Sequence, residues 1–245
     1  MTRRERLMAT LRGEPVDRPA VCFYEINGLD ENPANDDPFN IYSHPSWAPA
    51  IRLAREKSDR IVMRGVPFRN APPDPLAGLR TDETHTEGGS TITPTTIRAG
   101  RRTFTTRARR DPDVNTVWTL EHLLKNADDL KAWLELPPAE FGGEPDTSGV
   151  LAAEKALGDT GIILIDMADP LLWVAPLFEM GQFTVVALTE QKLFTEALER
   201  TALREGTEGE GRGFVLMPSA CPYGSVLSER ALRNYETMIE FAERA

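Results

Sequence analysis

Apolar and polar positions along the chain alternate between two periods, and the changes of period mark its elements. Near the start, Thr2 and Glu5 form a capping-box pair for a helix running to Arg12, with Leu7, Met8 and Leu11 on one face and Gly13 ending it. Residues 20–26 read as a first strand, 46–57 as a helix packed by Trp47, Ile51 and Ala54, and 60–66 as a second strand. Residues 147–157 form a helix closed by Gly158, and 161–167 (GIILIDM) a strand. Its run of apolar residues suits a sheet covered on both faces. Residues 171–178 and 189–204 are helical, the latter with Leu193, Phe194, Ala197 and Leu198 inward. A glycine-rich link leads to a last strand at 213–217 and then a helix beginning after Ser228, with Ala231, Leu232, Tyr235, Met238, Ile239 and Ala242 on its apolar face.

The middle breaks this alternation. Threonine-rich runs at 91–98 and 102–109, joined at Ala99-Gly100, predict a β-hairpin. A hairpin has no place in a parallel sheet, so it is an excursion beside it. Residues 67–79 are irregular and proline-rich, and 119–136 predict two short helical pieces stopped by Pro137 and Pro138.

Composition narrows the class. The 245 residues are 40% hydrophobic, enough for a single domain spanning 1–245 with its own core. A net charge of −10 argues against nucleic acid as a partner, and no apolar run is long enough to cross a bilayer. Cys22 and Cys221 provide no disulfide framework, and no apolar leader is evident, so a cytoplasmic location is expected.

The closing stretch GRGFVLMPSACPYGSVLSERALRNYETMIEFAERA and the opening MTRRERLMATLRGEPVDRPAV together resemble the uroporphyrinogen decarboxylase (URO-D) superfamily, which includes corrinoid methyltransferases. The resemblance implies an α/β fold derived from a TIM barrel. Residues 1–200 correspond to the first three barrel units, with a hairpin insertion at 84–110, and 202–245 to the last. On that resemblance, the intervening units are missing. The retained strands would then stand in the order 8-1-2-3 as an incomplete barrel, with open edges that a homodimer would cover.

Candidate chemistry gathers at strand ends, where parallel α/β folds place their sites. Asp166 and Asp169 would serve as catalytic acids or substrate ligands, although Asp169 equally suits a helix cap before Pro170. Glu25 and Arg64 close the first two strands as a further catalytic carboxylate and a substrate ligand, although a salt bridge or solvent explains either one equally well. Tyr223 would bind substrate or pack on the last helix. Arg107 and Arg109, two apart on the hairpin, share a face that suits carboxylates or phosphate, or simply solvent. By the resemblance, Cys221 falls where the methyltransferases place a zinc-binding cysteine. No His-x-Cys pair accompanies it, and a buried inert thiol is the alternative.

The resemblance therefore implies a corrinoid-linked methyltransferase-like protein, with zinc and a corrinoid as cofactors, a corrinoid protein as partner, and a small-molecule or tetrapyrrole-type substrate. Decarboxylation of porphyrinogen acetate groups is the alternative. The true decarboxylases grip carboxylates with an arginine-rich loop, and here that loop reads EINGLDENPANDD, which is acidic. A third reading is a non-catalytic remnant acting as a binding or assembly module.

Overall fold

The computed structural model describes residues 1–23, 25–140, 142–165, 170–202 and 227–244. Helix α1 (Arg3–Arg12) starts on the expected capping box: the Glu5 amide donates to Thr2 Oγ1 at 3.1 Å, and the Thr2 amide to Glu5 Oε2 at 2.7 Å. Helix α2 (Ala48–Lys57) follows a short 3-10 turn and buries Ala50, Ile51 and Ala54. Strand β1 (Arg60–Arg64) leads into a long excursion. Its strands are β2 (Phe68–Arg69), β3 (Arg80–Asp82), β4 (His85–Glu87), β5 (Ser90–Ala99), β6 (Arg102–Arg110) and β7 (Val117–Glu121), followed by helix α3 (Ala127–Leu134) and β8 (Glu144–Pro145). Helix α4 (Ser148–Leu157) then crosses to β9 (Gly161–Ile165). Helices α5 (Pro170–Val174), α6 (Met180–Thr189), α7 (Gln191–Ala202) and α8 (Glu229–Arg244) complete the described chain.

Strands β1 and β9 pair in parallel from Arg60↔Gly161 to Arg64↔Ile165, with α4 as the crossover, so a βαβ unit is present. Gly161 is required at the start of β9: a Cβ there would lie 2.2 Å from the Arg60 carbonyl oxygen. Among the described residues the parallel strands number two and close no barrel. None of the described helices is long and apolar enough to cross a membrane.

Three expectations need correction. Residues 20–23 form no ladder among the described residues: Val21 makes an isolated bridge, and its amide donates to the carboxylate of Asp59 (2.9 Å). Residues 117–121 are a strand, not the start of a helical piece. Val117, Trp118 and Thr119 favour extended backbone, and β6 offers an antiparallel edge to pair with. The two-sided burial expected of 161–167 fails at the end of β9, and residues 166–167 lie outside the described ones. Leu164 and Ile165 are 48% and 44% exposed because, among the described residues, β9 has only β1 beside it. The hairpin itself forms as expected: β5 and β6 pair from Thr91↔Arg110 to Ala99↔Arg102 around a two-residue turn, Gly100-Arg101. With β3, β4 and β7 it makes a five-stranded antiparallel sheet. The last strand expected at 213–217 lies outside the described residues.

Two principal cores result. In the first, Val21, Phe23, Ile26, Trp47, Ile51 and Ala54 pack with Tyr235 and Ile239 of α8, so the last helix sits against α2. The Phe23 and Tyr235 rings lie 4.5 Å apart. In the second, Ile97 and Phe104 of the antiparallel sheet pack on Leu130 of α3 and on Val174, Val186 and Ala197 of α5–α7. A small cluster of Leu7, Ala20 and Ile162 seats α1 beneath the parallel pair.

Candidate functional site

At the C-terminal end of β1 the chain builds a compact acidic loop. Asn27 Oδ1 accepts from the amides of Leu29 (2.8 Å) and Asp30 (3.1 Å), and its Nδ2 donates to Asp30 Oδ2 (2.7 Å). The buried Glu31 turns back to accept from the amides of Asn27 (2.8 Å) and Gly28 (2.7 Å). Gly28 has φ +73°, and a Cβ there would lie 2.9 Å from the Arg55 amide nitrogen, so the loop is pressed against α2.

Arg64 closes this loop. Its two terminal nitrogens donate to the two oxygens of Asp30 at 3.0 and 2.5 Å, a bidentate pair. Burial pushes the Asp30 carboxyl up, but the hydrogen bonds from Arg64 and Asn27 outweigh it and hold the group below its ordinary range. Glu31 goes the other way: burial raises its pKa more than its amide partners lower it. Tyr42 donates to the Glu25 carbonyl oxygen (3.4 Å), and burial, then the nearby Glu31 and Glu25 charges, keep its phenol protonated. Glu25 and Arg64 thus border one loop, and of the alternatives for Arg64 the structure shows a salt bridge, to Asp30.

Arg107 and Arg109 lie far along the antiparallel sheet. Arg109 holds Asp111 through two bonds of 2.7 and 2.9 Å, and Arg107 stands opposite Glu121 in the ladder. Arg110 rests over the Phe39 ring at 4.3 Å. The hairpin's cationic face is therefore largely matched by the chain's own acidic and aromatic groups. Asp166, Asp169, Cys221 and Tyr223 lie outside the described residues.

Zinc finds no fit among the described residues, where no three His, Cys, Asp or Glu side chains gather. His44 is engaged by Ser46 (2.9 Å), and His122 Nδ1 lies 2.9 Å from the Pro176 carbonyl oxygen. Cys22 is buried, and burial pushes its thiol up to about 11, which suits packing rather than ligation.

Sequence reading passed over two features. One is a buried ion cluster below the parallel pair: Asp59 accepts from Arg6 (2.5 Å) and Arg18 (2.8 Å), while Arg6 also holds Asp17 at 2.7 and 2.8 Å. The Ser58-Asp59 step just before a strand was its only local signal. The other is a cavity of about 450 Å³. The proline-rich segment after β1, the stretch leading to β8, and helices α3, α5 and α7 enclose it. No family model, curated protein or solved structure matches this chain.

Proposed function

We propose that this chain is a shortened member of the URO-D superfamily, of the corrinoid-linked methyltransferase-like type, whose remaining units bind a small organic substrate at the C-terminal ends of the parallel segments. The observation that carries this reading is the return of the last helix to the first unit: α8 packs on α2 and places Tyr235 on Phe23. A chain whose strands stand in the order 8-1-2-3 brings its last helix there. Two further contacts agree with that order. The Asp59 amide donates to the Val21 carbonyl (2.6 Å), so the first segment lies beside the start of β1. β9 is the other neighbour of β1.

Grip on a polycarboxylate, which decarboxylation requires, has less support. Arg64 and Arg109 already hold Asp30 and Asp111, and the loop after the first extended segment is acidic. The half-exposed end of β9 is where the same reading places a second copy of the chain. The test is a visible-absorbance titration with methylcobalamin, run beside a uroporphyrinogen conversion assay and light scattering. Saturable cobalamin binding by a dimer supports the proposal. Conversion of uroporphyrinogen moves the chain to the decarboxylases, and a monomer inert in both assays refutes both readings.

A further inference from the structure

We propose that the 450 Å³ cavity is a binding site for an organic cation with an apolar body, a function independent of the family reading. Its volume falls in the range of small-molecule pockets, about 300–1,000 Å³. The wall is made of Phe68, Leu130, Trp133, Val174, Leu177 and Ala197, with prolines of the two flanking segments. Leu130, Val174 and Ala197 belong to the second core, so the floor is set by packed helices rather than by a loose loop. Prolines fix the backbone of the opposite wall without ligand. A rigid apolar surface of this kind binds by removing apolar area from water, with little ordering cost.

The polar groups decide the sign of the ligand. Arg200 is the cation of the lining, and its guanidinium is taken up by the end of α3: it donates to the carbonyls of Leu134 (2.7 Å) and Leu136 (2.8 Å). Those carbonyls carry the negative end of the helix dipole, so the donors of the guanidinium are engaged there. Thr201 donates back to the Leu198 carbonyl (2.9 Å). The lining also holds two exposed carboxylates, Asp74 and Glu140. Asp74 accepts from the Leu76 amide (2.9 Å), and no described cation pairs with either acid. With two acids against one guanidinium the lining is net negative, which repels an anionic head and attracts an ammonium.

Three isosteres that differ only in their head test this: 4-phenylbutylamine, 4-phenylbutanol and 4-phenylbutyrate, titrated calorimetrically with Trp133 emission as a second readout. The amine is expected to bind about fivefold tighter than the alcohol, the gain of a solvent-exposed ion pair. The carboxylate is expected to bind weakest. The double change Asp74→Asn with Glu140→Gln should bring the amine to the level of the alcohol and leave the alcohol unaltered. Ala197→Phe and Leu134→Trp each fill the cavity, and whichever keeps the wild-type circular dichroism should lose both ligands. Absence of saturable binding by amine and alcohol overturns the site. Equal or tighter binding of the carboxylate overturns the cation assignment, and retained amine binding in a folded, filled variant places the ligand elsewhere.

Discussion

Replacing Asp59 by alanine tests what anchors the parallel unit. The carboxylate is fully buried and gathers three donors: Arg6 at 2.5 Å, Arg18 at 2.8 Å and the Val21 amide at 2.9 Å. Removing one partner of a buried charge pair typically costs about 3–5 kcal/mol, because the other charge stays out of water without compensation. Here Arg6 keeps Asp17, and the Arg18 side chain, 16% exposed, reaches some solvent. Both moderate the loss, so the lower end of the range, about 3 kcal/mol, is expected. The control is Glu154→Ala, which breaks the Arg4–Glu154 pair (2.7 Å) at the surface, where the loss should be below about 1 kcal/mol. Urea unfolding followed by far-ultraviolet circular dichroism measures both, with the slope checked for constancy. The double variant Asp59→Ala with Arg6→Ala should be less destabilised than the two single losses added together, since the first change already strands the second group. If Asp59→Ala costs no more than Glu154→Ala, or if the double variant is additive, the buried cluster does not hold α1 and residues 20–23 to β1.

Three other outcomes are expected. Gly28→Ala should destabilise by about 1–3 kcal/mol, because it adds a clash with the Arg55 backbone to a left-handed φ; Gly13→Ala, with φ +69° and open space around it, should cost less in the same urea experiment, and equal costs would refute the close approach. Cys22 should resist iodoacetamide at pH 8 in the native protein and react after unfolding in urea, as read by mass spectrometry of its peptide; rapid native labelling would contradict a thiol buried and pushed up to about 11. Acid should act on Asp17 and Glu31 with opposite sign. The Arg6 hydrogen bonds pull Asp17 down to about 2, so its contribution is present above about pH 4 and lost as pH falls toward 2, whereas burial raises Glu31, whose contribution is fullest in acid and declines as pH rises through its raised value. Melting temperatures from pH 2 to 7 should therefore show a shallower acid loss in Asp17→Asn and a smaller decline toward neutrality in Glu31→Gln; curves parallel to the wild type would refute both assignments.

What the sequence made legible was local. The capping box of α1 lies within four residues, the β5–β6 hairpin is written in threonines on either side of Ala99-Gly100, and β1 and β9 follow from short apolar runs. The features that escaped depend on distant partners. Asp59 reaches Val21 across 38 positions, a contact that no local pattern announces. β7 needed the edge of β6, and α6 is apolar around most of its surface, so it lacks the 3.6-residue period that reveals a helix. Its start is set by Glu179, whose carboxylate accepts from the amides of Gly181 (2.9 Å) and Gln182 (3.3 Å). In the candidate site, Glu25 and Arg64 could be placed from strand ends, but the Asp30 partner 34 residues away could not. Segment 67–79 read only as irregular, although its prolines make one wall of the cavity.

The division into two principal cores ties these points together. Helices α5 to α7 follow β9 in the chain, yet their buried residues, Val174, Val186 and Ala197, pack with Ile97, Phe104 and Leu130 of the excursion. The excursion has thus become a second centre of packing, and the cavity opens where it meets those helices. A site at such a seam takes its floor from that single core, so its shape is held without the strand-end loop. The loop, in turn, has spent its strongest groups on itself: Arg64 on Asp30, and Glu31 on the amides of Asn27 and Gly28. Changes in the loop should therefore register chiefly as stability and changes in the cavity as binding. Arg64→Leu measured in the phenylbutylamine titration separates the two, since a folded variant should bind the amine unchanged, and a tenfold weaker affinity would show that the loop and the cavity form one site.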